Sequence, residues 1–568
     1  MQCSIALLLA AAPFIAGQSP DTSSKNPSLT AWRDDLDAIV HDIRSLHPAP
    51  FARVGELTFT RELEALKAAL PRLTEPQRVT RAMKLIALLG DGHTSLEPDR
   101  EDFASWYPIR VQEFSDGYFV TTAHTSAAEL AGAQLLQVAG RNVAEVMERA
   151  RDLIGCENSS CRKERVYAFH NAALMCGLGY TDSQGNLAVK VKLRDGQIAD
   201  RVLAPHAADD PSYRGQESSF EWRYGGEMLG TPFGRGGWRS AYRGLPGAAF
   251  MTVDPARPLH LSQRTRYYAR ALPEQHAFYI QLNQTDDTNF VTFMHNTLLA
   301  VDQAKPRHLI VDLRYNFGGD ASRVSEVMHE FIKREDSRTW QLYLLTGGKT
   351  FSAALGLLHG FVEHIPLTIV GEPPGAPFNF FGDATSRKYR ATGLELHVSV
   401  LRHQFSDSAD VSEFVAVDVP APFSFADYVA GRDPAVDPIL RGEEMRSIAT
   451  IIRADGGAAA RKVWRERKEK FAAYPWWTAP REFDLRAACR DLQQHQRMED
   501  ALEACTLTTE IQPFIWNSWY NLGNLQQQTG HMQEAAESYG KVFEIDPNNF
   551  NGARLRAFIK TYGVGKKP

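Results

Sequence analysis

The sequence predicts an α/β protein: a largely parallel strand–helix core, a helical N-terminal region and small mixed module before it, and an all-α repeat after it. Three observations carry this reading. From about residue 275, apolar strand-like runs alternate with helical faces, the pattern of crossover units. Residues around 30–90 show apolar positions only at helical spacing. The last stretch is self-similar at a period of about 34 residues, which marks a stacked helical repeat.

With 568 residues, several domains are expected. Hydrophobic content of 43% and charged content of 23% are ordinary for a globular protein. A formal net charge of −5 gives no reason to expect nucleic acid. The first apolar run, Ile5 to Gly17, ends in small residues before Gln18-Ser19-Pro20. Residues 1–19 therefore read as a cleaved signal peptide, although no positive charge precedes the run; a buried or frayed apolar terminus is the other reading. An exported chain, periplasmic or secreted, is expected, with no membrane span in its mature form. Beyond Cys3, five cysteines remain. Export would allow Cys156–Cys161 and Cys489–Cys505 disulfides and leave Cys176 over; the alternative is small buried apolar residues. No cysteine or histidine spacing suits a metal, so neither metal nor cofactor is expected.

The helical region is placed at 28–105. Trp32, Leu36, Ile39, Val40, Ile43 and Leu46 share one face, Leu63, Leu66 and Leu70 another, and Pro71 marks a stop. A third helix is expected near Arg81–Leu89, with Gly90 as its cap. The mixed module, 106–205, contains strand-like Tyr118–Thr121 and Leu135–Val138, a helix over Val143–Leu153, and alternating Leu187–Leu193 ahead of an Asp195-Gly196 turn. Residues 206–270 are rich in Gly, Arg, Ser and Trp without periodicity, which reads as an insertion or lid.

The core is placed at 271–440. Its strands are Phe278–Leu282, His308–Leu313, Leu342–Leu345 and Leu367–Val370. Its helices carry Phe290, Met294, Leu298 and Val301, then Val324–Ile332, then a run starting near Ser352. In such sheets the loops at the strands' C-terminal ends sit side by side and carry the ligand site. Here those loops are 314–321, 346–352 and 371–383. A helical linker, 441–481, leads to the repeats at 482–568. Trp519, Leu522, Gly523, Gly530, Ala535, Tyr539 and Pro547 match the tetratricopeptide pattern, giving one unit at 516–549. A degenerate unit precedes it, in which Cys489 and Cys505 lie on facing helices, and a capping helix is expected around Ala553–Tyr562.

Chemistry centres on two of the core loops. Ser352 opens a helix, so the Ala353 N–H and an N–H from Gly318 or Gly319 could together hold a developing oxyanion. A serine before a helix is also a common N-cap, which is the bland alternative. Asp312, which at a strand end could be catalytic, reads with Arg314 beside it as a structural support of the glycine turn, and Lys349, which could be taken for a base, as a solvated charge.

Four segments taken together resemble one family. Gly90-Asp91-Gly92-His93-Thr94, Val311–Gly319, Thr350-Phe351-Ser352-Ala353-Ala354 and Val370-Gly371-Glu372-Pro373 are similar, in order and spacing, to signatures of the C-terminal processing (tail-specific) serine peptidases and of the related tricorn core. The likeness spans roughly 30–440. It implies a crotonase-like/ClpP-like peptidase core, and Ala128–Gly140 resembles a PDZ-type segment without its usual acidic turn. One branch of the family takes its base from a lysine after the Gly-Glu-Pro motif, but Gly375–Phe381 contains none. The tricorn-like branch uses a histidine, which corresponds to His93; Gly92 stands where that branch has serine. The same branch uses a glutamate in a later loop, for which Glu413, Asp410 and Glu372 are candidates.

The resemblance thus implies a serine peptidase in which His93 takes the Ser352 proton and a carboxylate orients the imidazole, and the N-terminal run adds export. Its substrate would be a peptide or unfolded protein tail, with a protein partner on the repeats. The alternatives are a weak or inactive peptide-binding scaffold and a serine esterase.

Overall fold

Four apolar strands, a more exposed first strand and one short last strand build the central sheet. The computed structural model describes residues 27–207, 238–240, 259–261, 266–285, 288–334, 337–408 and 410–563. The signal reading at 1–19 and most of the insertion at 206–270 lie outside the described residues. The strands are β1 (Tyr267–Leu272), β2 (Ala277–Leu282), β3 (His308–Asp312), β4 (Gln341–Thr346), β5 (Leu367–Gly371) and β6 (Val419–Pro420), hydrogen-bonded in that order. β1 and β2 form an antiparallel hairpin, and every later pairing is parallel. Parallel strands need crossovers, supplied by α1 (Thr288–Ala304), α2 (Val324–Ile332) and α3 (Ala353–His364). Both sheet faces are covered, so β2 and β5 are buried at every position and read as apolar runs interrupted only by Gln281 and Thr368. Phe290, Met294, Leu298, Phe331 and Phe361 pack on one face; Val436, Ile439 and Phe471 pack on the other.

The N-terminal region is helical, as its spacing predicts: Leu29–Leu46, Glu56–Ala69 and Glu75–Ala87. Trp32, Leu36, Ile39, Val40 and Ile43 are all buried. The third helix starts at Glu75 rather than Arg81, because Thr74 and Gln77 form a capping box and Pro76 sits in the first turn. Gly90 follows with φ 69°, a left-handed value that suits glycine. The next module is an antiparallel sheet of Ile109–Phe114, Gly117–His124, Gln134–Val138, Leu187–Lys192 and Ile198–Leu203.

One pairing decides the geometry of everything that follows. Ser95–Pro98, the strand just after His93, pairs antiparallel with Leu394–Val398, which itself pairs with Thr385–Tyr389. The loop after β5 therefore reaches back and fastens the N-terminal region to the core.

The repeats form Glu482–Gln494, Met498–Ile511, Trp516–Gln528 and Met532–Ile545, followed by a final helix at Gly552–Tyr562. Gly523 allows close packing, since a Cβ there would lie 2.6 Å from the Tyr539 ring. The segment expected as a linker holds a helix pair, Ile448–Asp455 and Gly457–Phe471, stacked on the first repeat. A Cβ at Gly457 would sit 2.5 Å from the Ala504 nitrogen, so this layer docks backbone to backbone.

Candidate active site

Ser352 sits where β4 hands over to α3, at φ 56° and ψ −126°. This is a sparsely populated conformation for a residue with a Cβ, and such strain persists only where the surroundings impose it. An N-capping serine instead has extended angles and accepts from the first turn. Ser352 makes no such bond, so its hydroxyl is left available.

The glycine loop explains the strain. Asn316 is fully buried; its carbonyl accepts the Phe351 N–H at 3.0 Å and its side-chain oxygen accepts the Gly318 N–H at 2.9 Å. Thr350 Oγ1 donates to the Leu313 carbonyl at 2.8 Å and accepts the Gly347 N–H at 3.1 Å. The two loops are thereby bolted together on either side of Ser352. Gly318 has φ 104°, and a Cβ there would lie 2.6 Å from Ser352 Cβ and 2.7 Å from the Ala353 nitrogen. Because the Gly318 N–H is committed to Asn316, that glycine provides close approach rather than an oxyanion donor. The Gly319 and Ala353 N–H groups have no hydrogen-bond partner among the described residues, and Gly319 lines the cavity at Ser352.

Behind the loop, Arg314 is clamped by Asp312 at 2.6 Å and Asp433 at 2.8 Å, and the Tyr279 hydroxyl donates to Asp312 at 2.7 Å. This buried network braces the turn, as expected of Asp312 and Arg314. Lys349 departs from expectation. It is buried rather than solvated, 3.6 Å from Glu164 and 5.3 Å over the Tyr315 ring.

His93 and Ser352 line one cavity of about 590 Å³. The His93 ring stacks on Phe351, the residue before the serine, with centroids 4.5 Å apart, and more loosely on Phe380 at 5.8 Å. No hydrogen bond joins His93 to Ser352 among the described residues. His93 Nδ1 is buried without a partner. Burial, with Arg165 and His403 nearby, outweighs Asp91 and Asp383 and pushes the imidazole down to about 4, so it is neutral and able to accept a proton at pH 7.

The carboxylates that the resemblance suggested lie elsewhere. Glu372 pairs with Lys163 at 2.7 Å, Glu413 is exposed, and Asp410 accepts from Ser406 and Ser412 in a local turn. None lines the cavity. The acidic groups beside His93 are Asp91 and Glu157. Asp91 accepts the His93 N–H at 2.9 Å, the Thr94 and Ser399 hydroxyls at 2.6 Å each, and His47 at 3.2 Å. Burial raises the Asp91 carboxyl, but these bonds and the neighbouring His93 hold it below its ordinary value. His47 Nδ1 accepts the Ala49 N–H, so Nε2 carries the proton donated to Asp91. Asp91 is visible inside the Gly-Asp-Gly-His segment. The only local signal for Glu157 is its place beside Cys156, inside the short loop closed by the Cys156–Cys161 disulfide (Cα–Cα 5.7 Å). Cys489 and Cys505 are also bonded, and Cys176 is free.

Phe103, Trp106, Ile154 and Leu174 also line the cavity, together with the polar Glu97, Arg165, Asn171 and His397. A neutral imidazole, an unengaged hydroxyl and two amide donors around one cavity are together suited to acyl transfer.

The tetratricopeptide repeat family model matches residues 516–549. Among solved structures the chain is similar to mature CPAF, with 12% identity over 73% of this chain and 98% of that one and a TM-score of 0.47. It is also similar to the photosystem II D1 C-terminal processing protease, with 13% identity over 71% and 98% and a TM-score of 0.32. The tricorn protease matches at 12% identity over 73% of this chain and 36% of that one, with a TM-score of 0.32. No curated protein matches the chain.

Proposed function

We propose that this chain is a serine peptidase that cleaves peptides or unfolded protein tails through an acyl-enzyme. The observation that carries the reading is Ser352: a strained residue at a helix start whose hydroxyl caps nothing and faces a cavity shared with a neutral histidine. In the reaction, Ser352 Oγ attacks the substrate carbonyl while its proton passes to His93. The Gly319 and Ala353 N–H groups hold the oxyanion. His93 then returns the proton to the leaving amine, and water releases the acyl group by the same steps. The four motifs that resemble the tail-specific peptidases favour amide over ester substrates. Export, to a periplasm or beyond, is part of the proposal. Two disulfides suit an oxidising compartment, and they support the signal reading of residues 1–19. The repeats would bring a protein partner or substrate to the enzyme.

A fluorophosphonate probe tests this directly. Covalent labelling of the full chain is expected at Ser352 and absent in Ser352→Ala. Equal labelling of both proteins, or none of either, removes the peptidase and the esterase together and leaves a peptide-binding scaffold. Digestion of a peptide library by the labelling-competent chain then separates peptidase from esterase.

A further inference from the structure

Beside His93 lies a buried carboxyl group that no side chain hydrogen-bonds. Glu157 is buried, and both of its oxygens, like His93 Nδ1, lack a hydrogen-bond partner. A ring nitrogen of His93 and one oxygen each of Glu157 and Asp91 lie within 4.8 Å of one another. Buried polar atoms are nearly always paired, so three stranded together in one small space call for an explanation. Asp91 cannot supply it. Its oxygens already accept from the His93 backbone, Thr94, Ser399 and His47. Glu157 is the acceptor with free lone pairs.

The surroundings keep Glu157 where it is. A Cβ on Gly92 would come within 2.7 Å of Glu157 Oε2 and of Phe351 Cζ, so only glycine leaves room for the carboxyl there. A Cβ on Gly155 would meet the Asp91 carbonyl at 2.4 Å. The Glu157 carbonyl accepts from Arg53 at 2.8 Å. Next along the chain, buried Asn158 accepts the Cys161 N–H at 2.9 Å and donates to the Pro374 and Glu413 carbonyls, both at 3.0 Å. With the Cys156–Cys161 bond, these ties hold the loop from both sides of Glu157.

We infer that Glu157 is the positioning carboxylate of His93, accepting a hydrogen bond from the imidazole ring as that ring takes the Ser352 proton. The inference rests on the acyl-transfer reading above and deepens it. The serine proton goes to one ring nitrogen as the Oγ–C bond forms, the other ring N–H is donated to Glu157, and the proton leaves with the departing amine. Glu157 itself gains and loses nothing over the cycle. Burial and Asp91 push its carboxyl up to about 8, partly offset by the Gly92 amide and Arg53. The other charged or titratable groups around the pair are Arg165, His403 and Asp383 near His93, and His47 behind Asp91. A raised carboxyl is ionised only above its own value, so the accepting form of Glu157 grows as pH rises through about 8. A protonated Glu157 near neutral pH holds the site in a low-activity state.

The test is the rate of fluorophosphonate labelling of the full chain between pH 6 and 9.5, in wild type, Glu157→Gln, Glu157→Asp and Gly92→Ala. The expected wild-type rate climbs with pH and levels off above about 8. Glu157→Gln lowers the plateau by roughly 100-fold and removes the climb. Glu157→Asp restores part of the climb, and Gly92→Ala, which keeps the carboxyl but displaces it, slows labelling in the same direction. Unchanged labelling in Glu157→Gln overturns the inference while leaving Ser352 as the nucleophile; so does a slowed rate with the climb intact, which is the mark of a structural role. A second readout does not need activity. In Ser352→Ala, the His93 ring nitrogen resonances should move with a midpoint near pH 8, and the added Glu157→Gln should abolish that movement. Resonances indifferent to Glu157, or moved only by added zinc, overturn it whether or not the wild type labels.

Discussion

The two halves of the candidate site are built in opposite ways. The serine half is local: β3, β4 and the loops that follow them supply Asn316, Gly318, Gly319 and Ser352, and their sheet fixes the spacing. The histidine half is assembled from afar. His93 and Asp91 sit on a turn after the N-terminal helices, Glu157 on a disulfide loop, and Ser399 on a hairpin beyond the nucleophile. A rigid parallel sheet presents the hydroxyl, whereas a pairing between Ser95–Pro98 and Leu394–Val398 delivers the imidazole. Damage to the first half should remove chemistry and stability together. Damage to the second should slow the reaction while the core stays folded.

The largest effect is expected from Gly318→Ala. Its φ of 104° and a Cβ 2.6 Å from Ser352 Cβ leave no room for the side chain. A loss of about 3 kcal/mol or more in stability and abolished labelling should be read together by denaturant unfolding and probe gels. An alanine variant that melts and labels normally would break the contrast at its stronger end. Ser399→Ala comes next. It removes one hydroxyl from buried Asp91 at the junction of the halves and should cost about 1–3 kcal/mol. If about 1.4 kcal/mol of that reaches the transition state, labelling slows roughly tenfold, and the loss should be in rate rather than extent. The smallest effect is expected from Glu413→Gln. Its side chain is exposed and away from the cavity, and only its backbone carbonyl serves Asn158. Labelling and melting temperature should match wild type, and a marked drop in labelling would return the orienting role to this later loop.

Local structure was legible from residues alone. The alternation around β2 to β5 announced a parallel sheet because both faces are covered, and the glycine pair and Ser352 stood at strand ends where such sheets carry their sites. Both disulfides were readable from cysteine positions. Lys349 was misjudged because a glycine-rich loop looks solvated in sequence but is sandwiched here, with Gly348 against the Ser160 carbonyl. The choice between Gly318 and Gly319 as donor was open because it depends on one Asn316 side-chain bond. The carboxylates near His93 escaped because a resemblance points to homologous positions, whereas Glu157 occupies space that exists only because residue 92 lacks a Cβ.

The amino-acid order by itself determined the strand–helix core, the N-terminal helical faces, the repeats and a serine at a helix start, since each follows from periodicity or from contacts within a few residues. Only the tertiary structure decided that Ser352 is strained rather than capping, that His93 shares its cavity, and that Glu157 rather than Glu372 or Glu413 lies beside the imidazole. Those outcomes depend on which distant backbones approach closely enough to exclude a Cβ or share a hydrogen bond. Such contacts between remote segments leave no periodic trace in the chain.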